Sequence, residues 1–504
     1  MAENRLGSLA KQTAIYGLSS IIGRFLNYML VPVYTFKICA EAGGPAAYGI
    51  VTNLYAYTAL LLVLLTFGME TTFFRFANKD GVNPSKAFST SGLAVGFVAL
   101  LFVILVSVFL KPIANVLDYA NHPEFVEIMA IIVALDAFQA LLFARLRYEN
   151  RAIKFAALKL LFIFMSIAMN LFIFFLAPGL KEIHPALMGW YENSYQVGYI
   201  FIINLICTSL ITFGFIPEIK KLRFGIDRDM LKQMLKYTWP LLLLGLAGIL
   251  NQVADKICYR FIVPGEEGDR QLGIYGACVK IAMIMAMITQ AFRYAYEPFV
   301  FGGQHDKNDK VLQAKVMKYF IIFTLLAFLA VVMYMPVLQY IIGPEYRVGL
   351  GVVPIVMMAE IFMGIYFNLS FWYKLIDETW WGAIFSGIGC AVLLAINFIF
   401  VPKYGYWACA WGGFAGYGVC MVLSYFVGQK KAPIPYNLKS AFMYFAVAIA
   451  LYFAQKYIHI ESTVWTLVVN TGLLLVFFAF ICWRETDLVR GVMKVVNSKI
   501  LKKK

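Results

Sequence analysis

The chain has 504 residues, 62% of them hydrophobic and only 14% charged, and its 43 Lys and Arg against 28 Asp and Glu give a formal net charge of +15. Soluble domains carry about 25% charged residues, so an ordinary water-soluble enzyme or binding module is excluded. The basic residues fall in short blocks between apolar runs, a pattern that argues for the lipid bilayer and against nucleic acid as the partner.

The apolar runs are continuous and each reaches the ~20 residues that a helix needs to cross a bilayer. In hydrocarbon every backbone polar group must be paired internally, and runs of this length do so as helices, not barrel strands. The reading is an all-α polytopic membrane protein with about 14 transmembrane helices, at 13–36, 47–69, 87–110, 126–147, 153–177, 194–217, 237–263, 272–298, 316–342, 349–371, 380–401, 406–427, 438–457 and 462–483. The opening stretch, MAENRLGSLAKQ, leads straight into the first span with no A-x-A site, so no cleavable signal is expected. With a cytoplasmic N-terminus, 31 Lys and Arg lie on the inner side and 8 on the outer side. The other four of the 43, Arg24, Lys159, Lys256 and Lys280, lie well inside spans, residues near span ends being counted with the adjoining side. That asymmetry places both termini in the cytoplasm.

A charge at mid-bilayer costs at least ~2.5–3.5 kcal/mol, so the intramembrane charges are the candidate functional residues. On span one, Thr13, Tyr16, Ser20, Arg24 and Asn27 recur every three or four residues and share one face. The planar fork of Arg24 suits a phosphate; the alternative is an ion pair with Asp136 on span four. Lys159 is close enough to the inner face to snorkel. On span seven, Asn251, Asp255 and Tyr259 form one i, i+4 line, and Gln252, Lys256 and Arg260 form the next. Two polar lines are too wide a face for lipid and should look into a cavity, although Arg260 could equally snorkel to the outer surface. Adjacent helical residues do not face each other, so Lys280 on span eight is the expected partner of Asp255. Arg293 closes span eight, where gating and interfacial anchoring are both open. On span ten, Glu360, Gly364 and Asn368 share a face, and Pro354 is expected to kink the helix ahead of Glu360. Desolvated carboxylates such as Asp136 and Glu360 can carry a proton or hold a sodium ion.

Other residue types are less specific. The eight cysteines form no C-x-x-C and no Cys/His metal spacing, so they read as small core residues and no metal site is expected. The four histidines, at 122, 184, 305 and 459, lie in loops or at borders without a catalytic partner. Tyr16, Tyr28, Tyr55 and Tyr57 are candidates to stack on sugars, and Trp380-Trp381 reads as interfacial.

An internal repeat is visible. Val31-Pro32 followed by Tyr48-Gly49 returns as Val263-Pro264 followed by Tyr275-Gly276, and Phe74-Arg75-Phe76 returns as Phe292-Arg293-Tyr294. Units of six helices would occupy 1–220 and 225–428, leaving 429–504 as two further helices and a basic tail. The alternative is a common interfacial turn, of which Val401-Pro402 with Tyr404-Gly405 is a third copy.

These stretches resemble the polysaccharide transporter, or oligosaccharide flippase, family of the multidrug/oligosaccharidyl-lipid/polysaccharide superfamily. The matching residues are Gly17-Leu-Ser-Ser-Ile-Ile-Gly-Arg24, Val31-Pro32, Tyr48-Gly49, Leu65 through Arg75, Asp255-Lys256, Val263-Pro264-Gly265, Arg293 with Phe299, Gly343-Pro-Glu-Tyr346 and Val401-Pro-Lys-Tyr-Gly-Tyr406. One departure is Trp407-Ala408-Cys409, where the family reads Gly-Ala-Ala. The resemblance implies two pseudo-symmetric six-helix lobes around a central cavity, in a bacterial cytoplasmic membrane. It implies alternating access that flips an undecaprenyl-diphosphate-linked oligosaccharide from the inner to the periplasmic leaflet, with other polysaccharide-assembly proteins as partners. The diphosphate would meet Arg24, Asn27, Lys256, Arg260, Lys280 and Arg293. By the same resemblance to drug-extruding relatives, Asp255 and Glu360, with Asp136, are the cation-coupling candidates for H⁺ or Na⁺; no other cofactor is expected. The span-resident bases outnumber the acids by one, which favours an anionic substrate. The rival within the superfamily is a drug/cation antiporter, and a glycan polymerase or transferase is the rival from another class.

Overall fold

The computed structural model describes residues 22, 23, 25, 26, 28–223, 225–302, 307–376, 378–458, 460 and 462–486. Among them, thirteen helices are long and apolar enough to cross a membrane, and no strand occurs. The expected first span lies largely outside the described residues, as do Tyr16, Arg24 and Asn27; its final turns are helix α1, Leu30–Lys37.

The first lobe continues with α2 Pro45–Thr66, α3 Met69–Ala77, α4 Pro84–Val108, α5 Pro123–Tyr148, α6 Ala152–Leu171 and α7 Gln196–Gly214. The second holds α8 Arg228–Ile262, α9 Glu266–Gly302, α10 Lys307–Met333, α11 Val353–Leu369, α12 Trp380–Tyr404 and α13 Tyr406–Lys431. Helices α14 Leu438–Tyr457 and α15 Thr463–Arg484 follow. Proline opens α2, α4, α5 and α11, where its missing N–H costs nothing. Asp227 caps α8 by accepting from the Met230 N–H. The Lys86 ammonium 2.7 Å away, together with that N–H, holds the Asp227 carboxyl below its ordinary value.

Three expectations about the helices need correction. Helices α8 and α9 run to 35 and 37 residues, well past 237–263 and 272–298. Hydropathy reports immersion, and charged turns such as Arg228-Asp229 and Glu266-Glu267 extend the helices beyond it. The span at 47–69 ends early, because Phe67 and Gly68 take φ of 34° and 74° and separate α2 from α3. Pro354 does not kink the helix before Glu360. A 3₁₀ stretch, Pro344–Val352, precedes α11, and Pro354 sits in the first turn of α11.

Within each lobe the helices pack as a bundle, with α5 against α2, α4 and α7 in the first and α13 against α11 and α12 in the second. The final pair rests on α10 through buried polar bonds. Asn470 Nδ2 donates to the Met333 carbonyl at 2.6 Å, and Glu485 takes Lys318 at 2.6 Å and the Tyr444 hydroxyl at 2.9 Å. Between hydrocarbon-solvated helices such bonds and close packing replace the hydrophobic effect as the adhesive.

The lobes meet where the repeated Tyr-Gly elements cross. A Cβ on Gly49 of α2 would stand 1.9 Å from the Asp269 carbonyl oxygen, and one on Gly273 of α9 1.9 Å from that of Pro45. Only glycine lets the two backbones approach this closely. This seam lies at the face expected to be the outer one. Tyr346 reinforces it, edge-on to Tyr48 with ring centroids 5.8 Å apart.

Candidate functional site

Between the lobes lies a cavity of about 580 Å³. Its first wall comes from α1, α2, α5, α6 and α7 and its second from α8, α9, α11, α12 and α13. Five of the intramembrane charges singled out in the sequence line it together: Asp136, Asp255, Lys256, Lys280 and Glu360.

The second wall carries four of these five. Asn251, Gln252, Asp255 and Lys256 all face the cavity, as two adjacent polar lines on α8 require. Asn251 is fixed from behind, its Nδ2 donating to the Ser386 carbonyl at 2.6 Å. Asp255 does not pair with Lys280. Lys256, its neighbour in sequence, folds back to put Nζ 3.0 Å from Asp255 Oδ1 and 3.0 Å from the Gln252 carbonyl. The flexible four-carbon stem of lysine overrides the rule that adjacent helical residues diverge. The Tyr275 hydroxyl from α9 completes the carboxylate shell at 2.8 Å. Lys280 and Glu360 therefore line the cavity with no hydrogen-bond or ion-pair partner within reach among the described residues. A bare ammonium offers donors only and a bare carboxylate acceptors only, so this wall can hold an anion at Lys280 and a cation at Glu360.

Four of the residues singled out in the sequence lie elsewhere. Arg260 does not line the cavity and does not snorkel. Its side chain is buried in the seam, with Nε 2.8 Å from Asp269 Oδ1. Its Nη1 and Nη2 donate to the carbonyls of Leu117 and Asp118 at 3.3 and 3.1 Å, and the guanidinium lies 4.1 Å from the centre of the Tyr119 ring. Asp118 takes a φ of 61°. Tyr259, also expected at the cavity, is fully buried against Gln271. Arg293 is not among the lining residues, and its guanidinium lies over the Phe367 ring at 4.3 Å. Lys159 lies over Phe143 at 4.1 Å. With those bases engaged outside the cavity, the described lining holds three acids and two bases, and Arg24 lies outside the described residues.

The first wall was largely missed. Its polar residues are Tyr34, Tyr48, Thr52, Tyr55, Ser166, Asn170 and Asn204 around Asp136, set among apolar side chains such as Val31, Ala59 and Phe162. Of the tyrosines proposed for sugars, Tyr55 lines the cavity and Tyr28 and Tyr57 do not. A signal was present: Tyr48, Thr52 and Tyr55 repeat at helical spacing, as do Ser166 and Asn170. Uncharged stripes of this kind are cheap in a helix seam, so they draw less notice than a charge.

The sequence profile of the polysaccharide biosynthesis protein family matches residues 9–296. The chain belongs to that family. Among solved structures, this family member superposes on the lipid II flippase MurJ in an inward closed conformation, with a TM-score of 0.70 and 17% identity over 94% of this chain and 99% of that one. A multidrug resistance MATE transporter of the MOP superfamily, inward-facing, gives 0.62 at 12% identity over 80% and 93%. The MATE multidrug transporter DinF-BH gives 0.56 at 15% over 83% and 95%. At these identities the likeness shows the fold alone. No curated protein sequence gives a significant match.

Proposed function

We propose that the protein is a flippase that carries an undecaprenyl-diphosphate-linked oligosaccharide from the cytoplasmic to the periplasmic leaflet by alternating access. The observation that carries the reading is Lys280, a partnerless base among the described residues, facing a cavity at the meeting of two lobes. Family membership supports a substrate from polysaccharide assembly. In this reading Lys280 and Lys256, with Arg24 and Asn27 from the first span, receive the diphosphate. The polyprenyl tail stays in lipid. Glu360, with Asp255, exchanges H⁺ or Na⁺ to reset the carrier. An anion leaving a negative interior gains ~2.3 kcal/mol per charge per 100 mV. The chain sits in a bacterial cytoplasmic membrane with both termini inside, its lobes at 1–220 and 225–428 and the remainder at 429–504. It acts beside other polysaccharide-assembly proteins and makes no covalent change to the glycan.

A leaflet-resolved assay tests this. Proteoliposomes receive defined undecaprenyl-diphosphate sugars, with and without pH and sodium gradients. Relocation of intact lipid is expected, and Arg24→Ala should abolish it while the protein still inserts. A covalently altered glycan, or no relocation with any diphosphate sugar, refutes the reading. A second reading is a cation antiporter, whose cargo the lining carboxylates Asp136, Asp255 and Glu360 would receive. Uptake of a cationic dye in the same vesicles, without lipid relocation, would establish it.

A further inference from the structure

We infer that the first wall of the cavity is a subsite for an uncharged pyranose unit, so that the sugar is held against that wall while its diphosphate meets Lys280 and Lys256, with Arg24 from the first span. The inference rests on the transport reading above and adds the orientation of the cargo and the residues that would select it.

The argument is one of hydrogen-bond type. A cation needs acceptors, an anion needs donors, and a sugar hydroxyl needs one of each within reach. The first wall offers both. Asp136 has two carboxylate oxygens and no hydrogen-bond partner among the described residues. Asn170 is 1% exposed, yet its Oδ1 has no partner there either, while its Nδ2 is spent on the Ser166 carbonyl at 2.8 Å. Those are free acceptors. On the donor side, Asn204 gives one amide hydrogen to the Tyr55 hydroxyl at 3.0 Å. That leaves its second amide hydrogen and the Tyr55 hydroxyl's own hydrogen unassigned. A buried polar atom left unpaired is costly, so this wall is built for a ligand or for water that a ligand displaces. Tyr34 and Tyr55 add ring faces, each an apolar platform with a polar tip, which matches the alternating C–H and O–H surface of a pyranose. On the second wall, Lys280 offers donors alone.

The test compares two probes on the purified full chain in nanodiscs by native mass spectrometry: undecaprenyl diphosphate, and the same lipid bearing one neutral disaccharide. Wild type should bind the glycosylated lipid roughly tenfold more tightly, the worth of one or two neutral hydrogen bonds. Tyr55→Phe, which removes a single oxygen, should lose about fivefold of that preference, and Asn204→Leu should lose most of it. Both should bind the sugar-free lipid as wild type does. Lys280→Met should weaken both lipids equally and keep their ratio. Equal binding of the two lipids by wild type overturns the inference, as does a sugar preference unchanged in Tyr55→Phe and Asn204→Leu, which would point to ordered water only. If neither lipid binds, the transport reading fails and takes this inference with it.

Discussion

The two walls of the cavity use different chemistry in the same hydrocarbon surroundings. The second wall concentrates charge, with Asp255 closed into a local pair by Lys256 and Tyr275, and with Lys280 and Glu360 left open. The polar groups described on the first wall are neutral amides, hydroxyls and phenols around one carboxylate, Asp136. A fixed charge binds strongly and at a distance, whereas a neutral hydrogen bond is short-ranged and sensitive to geometry. On the proposed reading the comparison teaches a division of work, with attraction and ion exchange on the charged wall and sugar recognition on the neutral one.

The largest effect expected from attacking this division is on the charged side. Lys280→Met should slow lipid relocation in proteoliposomes by roughly a hundredfold, as the loss of a charge-assisted contact in a dry site implies. A rate within twofold of wild type would remove Lys280 from the substrate path. Next come the two open carboxylates. Glu360→Gln should abolish stimulation by pH or sodium gradients, leaving a slow, gradient-insensitive rate roughly tenfold below the stimulated one, since a neutral amide cannot exchange an ion. Asp136→Asn should keep gradient stimulation. A reversed pattern would move ion exchange to the first wall. The smallest change in rate is expected at the seam, away from both walls. Arg260→Ala leaves Asp269 buried beside the Asp118 carbonyl without its counter-charge, and uncompensated buried charges cost about 3 kcal/mol or more. The outer closure should loosen, so a cysteine at Thr52, which lines the cavity next to Gly276, should label faster from the outside. Unchanged labelling would mean that the glycine crossing alone holds the lobes together.

The helical architecture was legible because the bilayer imposes one length and one hydrogen-bond rule on every span, and the apolar runs report both. The charged half of the site was legible for the same reason: a charge such as Lys280 or Glu360 stands out where its cost is high. Pairing was not. Asp255 found Lys256 instead of Lys280, because side-chain reach and the presence of Tyr275 decide it and neither is encoded in spacing. Arg260 shares a helical line with Gln252 and Lys256, yet one further turn carries it out of the cavity and into the seam, where the Leu117 and Asp118 carbonyls wait. The neutral wall was hidden because Asn, Ser, Thr and Tyr in a membrane helix serve packing as readily as recognition.

What the sequence determined by itself is the solvent and the periodicity: a chain this apolar, cut into spans by basic loops, has to become a polytopic helical bundle. The repeated Tyr-Gly elements were visible too, though not their meeting. Only the tertiary structure decided that Gly49 and Gly273 cross at van der Waals distance, which bases remain open, and that opposite walls differ in hydrogen-bonding character. Helix formation depends on neighbours along the chain, whereas pairing and cavity lining depend on contacts between residues hundreds of positions apart.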